Sequence, residues 1–233
     1  MRQATAEVSE LMRDPVKAIQ TGDVDGLRDM LREDPGLATA RLDGIRTLLH
    51  VAADWPGHFP NNVATVVTLI EHGADVNAPA SGSHAETPLH WAASSDDVEV
   101  LDALLDHGAD IEAKGAVNGG GTALADAVAF GQWNAARRLV QRGAEATLWQ
   151  AAGLGMMDRV AECFTTQIPN PDDITNAFWC ACHGGQRAPA EYLLSKGADL
   201  HWIGHDGKTP LAAAERSGAE DVALWLRSLG AGR

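Results

Sequence analysis

One phrase recurs along this chain at a nearly constant interval, and that recurrence constrains the fold more than any other property. Thr87-Pro88-Leu89-His90 opens a segment that runs to Leu104-Leu105 and closes on Gly108-Ala109-Asp110. Gly73, Gly108 and Gly143 each begin a Gly-Ala pair and stand 35 residues apart, while Gly197 and Gly230 are separated by 33. From the opening threonine to the closing glycine the distance is 21 residues for Thr87, Thr122 and Thr209, and 22 for Thr175. A fixed inner length with variable connections is the mark of stacked supersecondary units, each burying its apolar face on its neighbours.

Each anchor has a physical reason. The threonine hydroxyl suits a helix N-cap, and proline directly after it fits the first turn, where its missing N–H costs nothing. Thr87-Pro88 and Thr209-Pro210 therefore start short helices. Leu89, Ala92, Ala93, Leu211 and Ala214 give these helices a small-residue face for close stacking. A second, amphipathic helix follows, with Val98, Leu101, Leu104 and Leu105 on one stripe. Gly73, Gly108, Gly143 and Gly197 suit its left-handed end, and His72, His107, Arg142 and Lys196 just before them favour the negative end of the helix dipole.

These residues resemble the ankyrin repeat, over roughly residues 14 to 230. The match is strongest where Glu86-Thr-Pro-Leu-His-Trp-Ala-Ala and Leu105-Asp-His-Gly-Ala-Asp-Ile-Glu-Ala stand almost as the family pattern. Asp43-Gly-Ile-Arg-Thr47-Leu-Leu-His50 and Asp206-Gly-Lys-Thr209-Pro-Leu are good matches, whereas Thr122-Ala-Leu-Ala lacks the proline and histidine. The resemblance implies an all-α solenoid of helix-turn-helix repeats, joined by short protruding β-hairpin loops and curved around a concave binding face.

The expected organisation is a polar lead-in over 1–13 and a repeat domain over 14–233. Its units are a capping repeat at 14–41, repeats at 42–78, 79–113 and 114–146, an irregular one at 147–171, another at 172–203 and a C-terminal cap at 204–233. The second unit carries an insertion, Trp55-Pro-Gly-His-Phe-Pro-Asn61, between its helices. Connections 79–86 and 114–121 are enlarged, and the latter holds Asn118-Gly-Gly-Gly. That run lacks a lysine at P-loop spacing and reads as a hairpin tip. The irregular unit has almost no room for a finger before Leu148-Trp149 or after Phe164, which predicts a notch there. Regular structure is expected to resume with a helix opened by Thr175.

Charge narrows the partners. The 233 residues carry a net charge of −14 with a sequence pI near 4.9, which argues against nucleic-acid phosphate and anionic membrane surfaces. Cys163, Cys180 and Cys182 form no disulfide framework, and no apolar run is long enough for a signal peptide or membrane span. A cytoplasmic monomer is expected, with no cofactor and no metal.

In the ankyrin pattern a mid-helix position, the end of the first helix and the finger tips commonly meet the partner. Carried over unit by unit, these positions make Asp54, Trp55, Trp91, Ser94, Asp126, Phe130, Gln150, Trp179, Cys182 and His183 the candidate partner-binding residues. They form an aromatic and acidic set suited to a cationic or amphipathic ligand. Alternatively, Trp91 and Trp179 simply fill gaps between repeats. Cys180-Ala-Cys182-His183 has one residue too few for haem attachment. Its cysteines diverge on a helix, so Cys180 reads as packing and Cys182 with His183 as a partner-facing thiol and imidazole. His50 and His90 occupy the family's structural histidine position. His72 and His107 belong to helix ends, His84 and His205 to hairpins, and His58 to the insertion.

Two functions follow. The first is a binding module that holds a protein or another elongated partner on its concave face. The second is an enzyme or small-molecule binder using the same groove, with Asp54, Asp126 and His183 as acid and base groups and tryptophans enclosing a cationic or aromatic ligand.

Overall fold

The computed structural model describes residues 14–117, 120–166 and 168–232. The lead-in over 1–13 and the hairpin tip at Asn118 and Gly119 lie outside them. Among the described residues the chain forms fourteen α-helices and one 3-10 turn, with no strand. They alternate as helix pairs: α1 Pro15–Thr21 with α2 Val24–Glu33, α3 Leu48–Ala53 with α4 Asn62–Glu71, α5 Pro88–Ser94 with α6 Val98–Asp106, and α7 Ala123–Phe130 with α8 Trp133–Gln141. The remaining pairs are α9 Leu148–Leu154 with α10 Met157–Thr166, α11 Pro171–His183 with α12 Arg187–Ser195, and α13 Pro210–Arg216 with α14 Glu220–Ser228. The chain divides between Asp126 and Ala127 into two compact units, and each is described by itself.

In the first unit, first helices stack on first helices (α1, α3, α5) and second on second (α2, α4, α6). The stacking face is made of Leu48, Leu49, Ala52, Ala53, Leu89, Ala92 and Ala93, all buried. Burying such side chains is worth about 25 cal/mol per Å² of apolar surface, so the stack is held chiefly by what each helix pair removes from water on its neighbours. Asn77 adds a polar tie, since its side-chain amide donates to the Gly108 carbonyl at 3.0 Å and accepts from the Asp110 N–H at 2.7 Å. The ends of the second helices close as the glycines require. Gly73 and Gly108 have φ of 98° and 89°, and the N–H groups of Ala74 and Ala109 return to Leu69 and Leu104. His72 and His107 donate through Nδ1 to carbonyls in the last turn, at 2.8 and 2.7 Å.

The connections are hairpins without strand ladders among the described residues. Leu42 and Arg46 form an isolated antiparallel bridge. Ala80 donates to Glu86 at 2.7 Å, and Gly115 and Ala116 both donate to the Gly121 carbonyl at 3.0 Å.

In the second unit α9 stacks on α11, α11 on α13, and α10 on α12. Its stacking is closer at one crossing, where a Cβ on Gly184 would collide with the Gly153 carbonyl. The expectation that helix structure resumes at Thr175 is corrected here. Helix α11 begins at Pro171, capped by Asn170, whose side chain accepts from the Asp173 N–H at 2.8 Å. At 13 residues it exceeds the other first helices, which have between 6 and 8. An added helical turn thus stands where other repeats place a finger. Thr175 lies inside the helix, buried, and its Oγ1 accepts from the Asp199 N–H at 3.2 Å.

Candidate functional site

In the first unit a histidine relay positions the helix starts. His50 Nδ1 accepts from the Thr47 N–H at 3.2 Å and lies 2.9 Å from the Thr47 hydroxyl. That leaves Nε2–H to donate to the Glu86 carbonyl of the next repeat at 3.0 Å. His90 repeats the arrangement with Thr87 and reaches the Gly121 carbonyl at 3.4 Å. Burial pushes the His50 imidazole down to about 4 and lowers His90 as well, so both stay neutral at pH 7. Trp91 meets His50 edge to face, with ring centroids 5.1 Å apart and planes at 77°. It is half-buried, so the ring both fills a gap and presents an edge. The Glu86 carboxyl is raised by partial burial, against the opposing pull of His84 and of its bond from Trp91.

The insertion after α3 is a braced projection. Asp54 Oδ2 pairs with Arg46 at 2.9 Å while Oδ1 accepts from the Trp55 N–H at 2.8 Å. Beyond it, Asp97 on the next repeat is only 2% exposed. Its carboxylate accepts from the His58 N–H at 2.7 Å, the Asn62 amide at 3.2 Å and the Val100 N–H at 3.2 Å. On the other side Asn61 donates to the Gly22 carbonyl at 3.0 Å. Gly22, at φ 71°, lies so close that a Cβ there would strike the Pro60 carbonyl. The loop is therefore gripped by the repeats before and after its own. Trp55 stands clear of this grip, 76% exposed, and no other tryptophan falls in the exposed class.

The second unit gathers five of the seven tryptophans, at 133, 149, 179, 202 and 225. Trp179 donates from its indole to the Lys208 carbonyl at 2.9 Å, and Trp149 and Trp202 pack against the cluster it forms with Cys180 and Ala213. His183 lies between Trp133 and Trp179, with centroids 5.3 and 5.2 Å away. Its Nδ1 is 2.9 Å from Ser217 Oγ, whose own proton goes to the Ala213 carbonyl. Nδ1 therefore carries the imidazole proton, and Nε2 is buried with no hydrogen-bond partner among the described residues. Burial, followed by the nearby Arg216, lowers the pKa of this imidazole.

At the fingerless repeat a surface pocket of about 540 Å³ opens between the start of α9 and the added turn of α11. Leu148 and Trp149 line it from α9, Asn170, Asp173 and Asn176 from the cap and first turns of α11, and Cys163 and Ile168 from α10 and the segment after it.

The sequence model of the family described as "Ankyrin repeats (3 copies)" matches residues 16–115 and 61–149, together more than half of the chain. The chain belongs to the ankyrin-repeat family. Its fold is that of the ankyrin-repeat solenoid. The crystal structure of the human ASB11 ankyrin repeat domain superposes with a TM-score of 0.53, covering 91% of this chain and 96% of that one at 20% sequence identity. No curated protein matches the sequence. No described helix is long and apolar enough to cross a membrane.

Ankyrin repeats are generally protein-binding modules, and the candidate contact residues of this ankyrin chain fall into two groups by access. Trp55 and Phe130 are exposed, while Asp54, Trp91 and Ser94 keep partial exposure. Asp126, Gln150, Trp179, Cys182 and His183 are buried, at 0%, 3%, 9%, 0% and 4%. For this second group the expectation of a partner-facing side chain is corrected by that burial. Gln150 holds its own helix, its Oε1 accepting from the Thr147 N–H at 2.8 Å and from the hydroxyl at 2.7 Å, as histidine does elsewhere. Burial pushes the Cys182 thiol far above its usual range and Cys180 up to about 12, so neither is a thiolate at neutral pH. Asp54 spends its charge on Arg46, and His183 is enclosed by rings. Sequence reasoning missed Asp97, whose signal was its place as N-cap of α6, and the pocket wall at Asn170 and Asp173, signalled by Asn-Pro-Asp-Asp.

Proposed function

We propose that this ankyrin-repeat protein binds a protein partner, and that the contact in its first unit centres on Trp55, with Trp91 and Asp54 as further contact residues. The observation that carries the reading is a large aromatic ring held out into solvent on a loop fixed by the buried Asp97 carboxylate. A rigid exposed tryptophan offers much contact area at little entropic cost, which is the character of interface hot spots. Three cysteines outside any disulfide and a net charge of −14 suit a cytoplasmic partner with a basic surface.

The test is quantitative affinity capture with intact protein beside Trp55→Ala, followed by measurement of Kd for the captured partner. Because Trp55 is exposed, the variant should keep its melting temperature. Loss of a central tryptophan should cost about 2 kcal/mol of binding, or ~30-fold in Kd. A partner held equally by both forms places the interface elsewhere and defeats the reading.

A further inference from the structure

We propose that the pocket at the fingerless repeat is a second binding site, for a short extended segment of a protein that carries an apolar side chain next to a lysine or arginine. The site lies wholly within the second unit and is independent of the Trp55 surface.

Its origin is a double loss. A hairpin precedes each of α3, α5, α7 and α13. Here Gly143-Ala-Glu-Ala-Thr leads straight into α9, and the segment after α10 runs through Ile168 and Pro169 directly into α11. What the fingers would cover stays open. Ile168 is 81% exposed, and Trp149, half-buried, lines the pocket and packs against the Trp179 cluster. One wall of the pocket is thus a supported aromatic surface rather than a loose side chain.

The residues that α11 contributes have a different chemistry. Asn170, Asp173 and Asn176 are spaced three apart, so they share one face of the added turn and the turn after it. Asn170 holds the Asp173 carboxylate in place, donating from its Nδ2 to Oδ2 at 2.7 Å. Asp173 is exposed and is the only charged side chain among the described residues that line the pocket. Asn176 is half-buried. Its amide offers one donor and one acceptor side by side, the complement of a peptide group in an extended chain.

These three features select one occupant. An apolar side chain fits between Trp149 and Ile168, an extended backbone pairs with Asn176, and a cation on the adjoining residue meets Asp173. Phosphate and acidic segments are repelled by the same carboxylate. A volume near 540 Å³ holds a side chain and its flanking peptide groups, which fits a short linear segment better than a folded domain.

The intact protein supplies its own reporter. Cys163 lies in the pocket wall with partial exposure, whereas Cys180 and Cys182 are buried, at 5% and 0%. Iodoacetamide labelling of Cys163 would be followed with and without a capped peptide, acetyl-Ala-Leu-Arg-Ala-Ala-amide, and amide chemical shifts recorded in parallel. The peptide should slow labelling and move the Asn170, Asp173 and Asn176 signals. Replacing its arginine by glutamate, or its leucine by alanine, should weaken binding about tenfold. Asp173→Asn should lower affinity for the arginine peptide about tenfold and leave the glutamate peptide no worse. Ile168→Ser, a change at an exposed position, should weaken both by several-fold without altering the fold. Trp55→Ala should leave every one of these values unchanged, so failure here and failure of the Trp55 interface are separate results. Equal binding of the arginine and glutamate peptides, or shifts confined to other regions, overturns the proposal. So does self-association of the protein that Ile168→Ser abolishes, since the occupant is then a second copy of this chain.

Discussion

The repeat at 42–78 and the repeat at 147–171 depart from the same pattern in opposite directions. The first gains five residues between its helices, and the gain is turned outward as a braced loop that displays Trp55. The second loses the hairpins on both sides, and the loss leaves a pocket lined by Trp149 and Ile168. Both departures keep the helix pair intact, because burial of the stacked helices does not depend on the connections. A solenoid can therefore acquire a projection or a recess at one repeat without altering the next. The difference lies in what fixes each feature. The projection depends on a carboxylate from another repeat, whereas the recess depends on a cap within its own helix.

That contrast can be broken most sharply at Asp97. Asp97→Ala leaves the His58 N–H and the Val100 N–H without their acceptor and takes one of two acceptors from the Asn62 amide, which keeps the Ala52 carbonyl. At about 2 kcal/mol for each of the two orphaned backbone donors, the variant should lose about 4 kcal/mol of stability. Chemical denaturation would measure it. Proteolysis should cut between Trp55 and Asn61 in the variant before it cuts elsewhere. A loss below about 1 kcal/mol would mean that the loop is held by its own conformation and not by the neighbouring repeat.

Acid offers the next largest effect. His50 is lowered to about 4 in the folded protein from an ordinary value of 6.5, so folding favours its neutral form. Its contribution is full above pH 6.5, falls as the unfolded chain begins to take up a proton, and is gone below about pH 4. The shift corresponds to about 3 kcal/mol. Glu86 works the other way, since its raised carboxyl makes the folded state bind a proton more readily as pH falls. The comparison that isolates His50 is His50→Gln, because Gln150 already performs the capping role at the fingerless repeat without titrating. The loss of stability between pH 7 and pH 4, followed by circular dichroism, should be about 3 kcal/mol smaller in the variant. An unchanged pH profile would move the acid sensitivity to His90 and His183.

How far these features could be read from the sequence depends on the range of the interactions that make them. Thr87, His90 and Gly108 act within one helix pair, through caps and a left-handed glycine, so their roles were legible. The insertion was visible as a length anomaly, but its brace was not, because Asp97 lies 39 residues from His58 and looks like an ordinary N-cap. Burial of Trp179, Cys182 and His183 was hidden for a similar reason. The family pattern gives the direction of a side chain but not the size of what other repeats set over it, here Ser217 and Lys208 from the repeat after and the ring of Trp133 from one before. The start of α11 was a different kind of miss. Asn170-Pro171-Asp172-Asp173 is a complete local signal of cap, N1 proline and acidic first turn, yet the repeat register pointed to Thr175.

That local signal makes the smallest prediction and the one closest to the recess. Asn170 accepts from the Asp173 N–H and donates to the Asp173 carboxylate, so Asn170→Ala removes both the cap and the hold on the side chain. Loss of an N-cap costs about 1 kcal/mol. That loss is too small to unfold a helix that is buried at Ile174, Thr175 and from Ala177 to His183. The expected outcome is fraying of Pro171 to Asp173, seen as faster amide exchange there and nowhere else, while Thr175 keeps its bond to Asp199. Fraying would also free the carboxylate that forms the charged wall of the pocket. If exchange instead rises along the whole of α11, the added turn supports the repeat rather than decorating it, and the two irregular repeats are built on the same principle after all.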